Sequence, residues 1–415
     1  MPRKGTIVAF LCCFSFFVTA AAFAASPQSV ADEPPASTEE PPPTAVGEPT
    51  QEEEEPKIKF TPYGYIKADA SWDSSLVDIG DFARWVLSPD MFTEHDHFNL
   101  TARQTRLGLR IAGGGDGNLL ASGRVEIDFY GGGAENKNLP MLRHAYAELN
   151  WQDRDLVLLG GQTSDLISPL VPTTLNYTVA WWVGNIGYRH PQIRVTKGFD
   201  VGVDSKLTIA AAAVRTIADD FRPTEPGDAG ADSGLPSVQG RVGYAWTMAG
   251  NPAAVGFSGH WGRENPHLES ETEPHGPEFD SWSANVDFSF PLTDRVTLKG
   301  EAFTGSNLDD FFGGIGKGIN FDRDIAVDTT GGWVAVDFRA NDQVLTTFGY
   351  GIEDPEDADL NDNDRSKNSA AWANFIYDVT SHVRTGVEIS YWRTHYKALE
   401  MGKAVRIQYS LIYQF

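Results

Sequence analysis

Arginines recur in this chain where strand phase gathers them on one face. Arg106 and Arg110 fall opposite Leu107, Leu109 and Ile111, and Arg124 falls opposite Val125, Ile127 and Phe129. Alternate residues of an extended strand point to opposite faces, so these arginines occupy the face that the apolar residues leave. The same phase assigns His144, Arg194, Arg241, Arg384 and Arg406 to the polar face and points Arg143 to the apolar one. A guanidinium stays charged and matches a carboxylate bidentately, so a wall lined with arginines attracts anions. Acids in the same phase, Glu126, Asp128, Glu148, Glu301 and Glu388, either neutralise the arginines in cross-strand pairs or face them to make a transverse field. The two arrangements are compatible.

Other chemistry has little to stand on. The nine histidines lack metal-ligand spacing, and there is no Gly-x-Ser-x-Gly elbow or His-Glu-x-x-His helix. The glycine triplets 113–115 and 131–133 lack the Lys-Ser/Thr ending and the following helix of a phosphate loop. Asp357, Asp359, Asn361, Asp362 and Asp364 offer oxygen ligands, but without the turn glycine of a helix-loop-helix calcium site they read as a solvated acidic loop. No catalysis, metal or cofactor is expected.

The elements that would position the arginines are strands. From Phe60 onward, segments of about ten residues alternate with period two and are separated by Gly, Asp, Asn and Pro. About sixteen such segments are readable. In the last, Val405, Ile407, Tyr409, Leu411, Tyr413 and Phe415 share one face, and Arg406, Gln408, Ser410 and Gln414 share the other. One face suits lipid and the other water. After Ala24 no stretch is long and apolar enough for a spanning helix, so a mature chain in a membrane must be a closed barrel. The fold class expected for 59–415 is therefore all-β, a transmembrane antiparallel β-barrel, with Trp282, Tyr391, Trp392, Tyr409 and Tyr413 as candidates for the interfacial girdle.

Tight connections such as Leu292–Asp294 and Ala340–Asp342 alternate with long ones at 74–99, 218–236, 264–279, 307–330 and 353–368. The connection 164–189 differs, because Leu166, Ile167, Leu170, Val171, Trp181 and Trp182 make it too apolar to stand in solvent. It is expected to fold into the barrel as a constriction, carrying Asp165, Leu170, Asn176, Tyr177, Trp181 and Trp182. A contact on a neighbouring subunit is the competing explanation.

At the amino end, Arg3 and Lys4 precede an apolar run from Ile7 to Val18 and then Ala22-Phe23-Ala24, which reads as a signal peptide over 1–24. Cys12 and Cys13 lie inside it, so the mature chain is expected to have no thiol. Residues 25–58 are rich in Pro and Glu and read as a disordered acidic periplasmic tail. The net charge of −24 sits largely in that tail and in loops such as Glu353–Asp357, so it does not oppose an anion path.

Several blocks together, FTPYGYIKADASWDSS, TARQTRLGLRI, GRVEIDFYGGGAENKN, MLRHAYAELNW, LLGGQTSDLISPLVPTTLNYT and NIGYRHPQIRVTK, resemble the DcaP-like family of trimeric Gram-negative porins over most of 60–197. The resemblance implies a sixteen-stranded trimeric barrel, a constricting inward loop and passive uptake of small anions, dicarboxylates in particular. Arg106, Arg110, Arg124 and Arg143 stand in the matching blocks, which makes them candidates for the constriction. Members can carry a periplasmic coiled coil, whereas the tail here is broken by prolines and has no heptads. The expectation is an outer-membrane diffusion channel with no nucleic-acid partner. Its partners would be outer-membrane lipid and lipopolysaccharide, the barrel-assembly machinery acting on the strand that ends at Phe415, small anionic solutes and two further copies of the chain. The alternative is a surface receptor or adhesin whose lumen is plugged and whose acidic loops are functional.

Overall fold

The computed structural model describes residues 58–132, 137–217, 229–266 and 278–415. The segments 1–24 and 25–57 lie outside the described residues, as do 218–228 and 267–277 of two long connections. Strands β1 (Lys59–Asp73), β2 (His97–Thr101 continued by Arg106–Ala112), β3 (Leu119–Asp128), β4 (Met141–Trp151), β5 (Leu156–Ser164), β6 (Arg189–Gly202), β7 (Ser205–Val214) and β8 (Ser237–Met248) make the first half of one antiparallel sheet. The second half is β9 (Asn251–Glu264), β10 (Phe279–Pro291), β11 (Val296–Ser306), β12 (Asp328–Asn341), β13 (Val344–Pro355), β14 (Arg365–Asp378), β15 (Val383–Tyr396) and β16 (Leu399–Gln414). The two pieces of β2 both pair with β1, so the seventeen segments of the sheet are sixteen strands.

The sheet closes on itself where β1 pairs with β16, from Tyr65 opposite Gln414 to Asp73 opposite Arg406. Phe415 completes the seam, exchanging backbone hydrogen bonds of 3.0 and 3.1 Å with Gly64. Gly64 stands at φ +157°, where a Cβ would sit 2.2 Å from the carbonyl oxygen of Arg106, so no larger residue fits where β1 passes from β16 to β2. The break in β2 inserts one residue against β1, since Asp69 faces Thr101 and Tyr65 faces Arg106. The outward set accordingly changes phase from Phe98 and Leu100 to Leu107 and Leu109.

Ile193, Phe257, Phe348, Phe375, Ile389 and Leu411 are exposed on the outer surface. A belt of large apolar side chains around a closed sheet is a lipid-facing surface, and the chain is a transmembrane barrel. Trp282, Tyr391 and Tyr413 stand on that surface as girdle residues. Trp392 does not: it is buried on the inner side of β15, packed with Val77, Val86 and Val183, because it sits one residue out of phase with Tyr391.

One end of the barrel carries tight turns. Ala249 and Gly250, both at positive φ (50° and 76°), make such a hairpin. The other end carries the long loops, and three of them turn inward. In the third (165–188), the Leu170 N–H donates to Glu301 Oε1 at 2.7 Å, the Leu175 N–H to Glu388 Oε2 at 2.8 Å, and the Gly184 N–H to Glu353 Oε2 at 3.3 Å. The Leu175 carbonyl accepts from Lys67 Nζ (2.9 Å) on β1 and Gln408 Nε2 (2.8 Å) on β16, beside the Glu388 strand. A loop buried in this way must have its backbone groups paired, and inward side chains of the wall supply the pairing.

The first loop (74–96) joins it through the Asn176 amide, which both accepts from the Ala83 N–H (3.2 Å) and donates to the Ala83 carbonyl (3.0 Å). The sixth loop (307–327) adds bonds from the N–H groups of Trp182 and Gly187 to the carbonyls of Phe312 and Phe311. Placing a charge on the lipid face tests the membrane assignment. Ile389→Arg is expected to lower the free energy of unfolding from lipid vesicles by about 2–4 kcal/mol near the bilayer centre. Denaturant titration showing no more than the roughly 0.5 kcal/mol of an ordinary surface change would contradict it.

Candidate functional site

Strands β2 to β4 place four arginines on one stretch of inner wall. Arg106 and Arg110 alternate inward on β2, and Arg124 lies beside Arg110 in the pairing with β3. Arg143 enters differently. Glu126 pairs with His144 while Ile127 pairs with Leu142, so Arg143 is the extra residue of a β-bulge. The bulge turns Arg143 and His144 inward together, which corrects the outward position that uninterrupted alternation assigns to Arg143.

Glu126, 1 % exposed, is the hub of this wall. It accepts from the Tyr63 hydroxyl (2.7 Å), Arg124 Nη2 (2.5 Å) and Arg143 Nε (2.9 Å), with Arg106 Nε at 3.4 Å. Arg143 also donates through Nη1 to Asp128 at 2.7 Å, and the Tyr177 hydroxyl reaches the same carboxylate at 3.3 Å. Arg110 lies over the Tyr63 ring at 4.4 Å, and Arg106 over Tyr65 at 5.2 Å. His144 bonds the Thr163 hydroxyl at 3.0 Å.

Arg189, at the junction of the third loop and β6, is 4 % exposed, and its Nε and Nη2 have no hydrogen-bond partner among the described residues. It stands over the rings of Tyr188 (4.5 Å) and Trp181 (5.5 Å). Five guanidinia therefore face this part of the lumen against the carboxylates of Glu126 and Asp128, and the wall is cationic. Between it and the third loop lies a cavity of about 280 Å³, with Arg106, Arg143 and Arg189 on one side and Pro169, Leu170 and Val171 on the other.

The loop is fixed at its start by Asp165, which accepts from His190 Nδ1 (3.0 Å), the Tyr188 N–H (2.7 Å) and Gln239 Nε2 (3.1 Å). Burial pushes the Asp165 carboxyl up, but His190 and these donors outweigh it and hold the group below the usual carboxylate range. Tyr177 packs on Tyr130 and Phe82 with ring centroids 4.0 and 5.2 Å away. Trp182 packs on Phe312 (4.6 Å) and Trp85 (6.0 Å), sealed among three loops, whereas Trp181 also lines the cavity.

The remaining inward arginines do not join this cluster. Arg194 donates to Gln192 Oε1 (2.9 Å) and to the Ser164 carbonyl, with Glu148 near enough for their charges to interact. Arg241 pairs with Asp287 at 2.6 Å, and Arg384 pairs with Asp378 at 2.5 Å toward the tight-turn end. Arg406 corrects its sequence reading as a pore-lining group. It is 1 % exposed, held by Asp73 (2.8 Å), Ser71 (2.9 Å) and the Gly80 and Asp81 carbonyls, because the first loop folds over it. Glu301 and Glu388 likewise bond loop backbone instead of arginine.

Tyr63, Tyr65 and Lys67 were legible, since they share the inward phase of β1 opposite Ile66 and Ala68. Arg189 had no signal, because it stands at the end of a loop whose path periodicity cannot trace.

No family model and no curated protein matches the chain. Among solved structures, it superposes on the outer membrane channel DcaP of Acinetobacter baumannii with a TM-score of 0.70 at 20% identity, over 88% of this chain and 99% of that one. An anion-selective porin from Comamonas acidovorans superposes with 0.56 at 12%, over 86% and 100%. The trimer form of OmpT, an outer membrane protein of Vibrio cholerae, gives 0.53 at 11%, over 87% and 100%. At these identities the likeness is one of fold: the chain has the barrel fold of outer-membrane porins. The hub has an energetic consequence. Glu126→Ala, which removes charge-assisted bonds from part-buried Arg124 and from Arg143, is expected to cost about 1.5–3 kcal/mol in vesicle unfolding. Arg110→Ala, which removes a ring contact at an exposed position, is expected to cost less than about 1 kcal/mol.

Proposed function

We propose that the chain is an outer-membrane diffusion channel for small hydrophilic solutes that prefers anions, dicarboxylates among them. The observation that carries this reading is the charge imbalance at the narrowed lumen, where Arg106, Arg110, Arg124, Arg143 and Arg189 face Glu126 and Asp128. The hub makes that wall stiff, and a stiff row of fixed charge selects by field without closing on its solute. The third loop sets the width. The Comamonas neighbour is described as anion-selective and the Acinetobacter neighbour as a channel, which agrees with transport and not catalysis.

In the same reading, residues 1–24 direct export and are removed, and 25–58 form a periplasmic tail on the tight-turn side. The outer belt meets outer-membrane lipid and lipopolysaccharide, and the assembly machinery engages the strand ending at Phe415. Three copies associate, as in the trimer form of the Vibrio neighbour.

A second reading has its own observation. Leu308, Phe311, Ile315 and Val183 are fully buried where three loops meet inside the barrel. A lumen shut there would leave a receptor or adhesin acting through its outer loops. It requires conductance near zero that rises when 166–182 is deleted.

Planar-bilayer conductance of the purified protein, with a panel of dicarboxylates as blockers, separates the readings. Block is expected in the wild type. It is expected to weaken about fivefold in Arg106→Ala and in Arg124→Ala, the effect of one charge worth about 1 kcal/mol at a dielectric between protein and water. Unchanged block in both variants would sink the arginine assignment.

A further inference from the structure

We infer that the cavity beside Arg189 takes an organic anion with an apolar body, its carboxylate on the guanidinia and its hydrocarbon or aryl part on Pro169 to Val171. This rests on the anion reading above and narrows it.

Among the described residues, the one carboxylate that the loop side of the cavity carries, Asp165, is already paired. Asp165 is occupied by His190, the Tyr188 N–H and Gln239. Glu301, Glu353 and Glu388 bond the loop's own backbone from behind. What faces the guanidinia instead is Pro169, Leu170 and Val171, with Val171 54 % exposed inside the barrel. An exposed valine across from a cationic wall contributes nothing to a hydrated inorganic anion. It does favour a solute that can remove hydrocarbon from water there.

Some polar atoms of the cavity lining have no partner among the described residues. Arg189 Nε and Nη2, Ser168 Oγ and Asn185 Oδ1 are buried without a hydrogen bond. Buried donors are normally paired, so the Arg189 and Ser168 donors describe the carboxylate end of a ligand, while Asn185 Oδ1, which only accepts, stands outside that set. Nε and Nη2 of one guanidinium form the fork that takes both oxygens of a carboxylate. Arg143 is held by Glu126 and Asp128 and adds charge without swinging away. Charge on one side and hydrocarbon on the other is the complement of an amphiphilic carboxylate, in contrast to a polyhydroxylated or inorganic anion.

The test uses the full-length protein in planar bilayers, with benzoate and cyclohexanecarboxylate compared with lactate and gluconate as blockers of the potassium chloride current. The apolar pair is expected to reach half-block at concentrations about fivefold lower, the gain from covering part of one ring. In Val171→Ser that ratio is expected to fall toward one. Val171→Thr, nearly the same shape, keeps the comparison valid if serine disturbs the loop.

Equal half-block by both pairs in a chloride-preferring wild type would overturn this inference and leave the anion reading standing. A ratio that survives in both Val171 variants would overturn it too. Potassium preference, or no current at all, would instead remove the anion-channel reading beneath it.

Discussion

Hydrocarbon supplies no hydrogen-bond partner, so strands that cross it must pair their backbone with other strands, and a sheet with a free edge fails that condition. Here the edge is removed where β1 meets β16, with Phe415 and Gly64 exchanging the last pair of bonds. Closure makes the pleat decisive. Once sixteen strands form a ring, every alternate residue belongs to lipid or to the lumen, and the apolar and polar sets of each strand follow. The same requirement governs the third loop, whose buried N–H groups find acceptors in inward side chains of the wall instead of in strand backbone.

Those acceptors explain how charge is divided inside the barrel. On one wall Glu126 and Asp128 tie arginines and tyrosines into a fixed lattice. On the other, Glu301, Glu353 and Glu388 receive backbone N–H groups of the loop. Among the described residues, the carboxylates that hold the loop form no ion pair with Arg106, Arg124 or Arg143, which have Glu126 and Asp128 as their acidic partners. Structure and selectivity draw on the same residues.

Much of this was legible in the chain. Period-two alternation located the strands, and the polar phase of Arg106, Arg110, Arg124 and Glu126 placed them in the lumen. The apolar content of Leu166 to Trp182 implied a loop that turns inward. What escaped was whatever breaks the period or depends on a folded loop. A bulge reverses the side of Arg143, and an inserted residue in β2 changes the outward set. The first loop hides Arg406, and Arg189 acquires its position from the path of the third loop. Local periodicity carries the pleat but not the register shifts, and it carries no information about which loop covers which wall.

The most direct test of the cationic lumen is the zero-current potential of the wild-type protein in a bilayer separating two potassium chloride concentrations. A potential with the sign of chloride preference is expected. It should shrink as both solutions approach 1 M, where the screening length falls to about 3 Å. A potential with the sign of potassium preference would contradict the account.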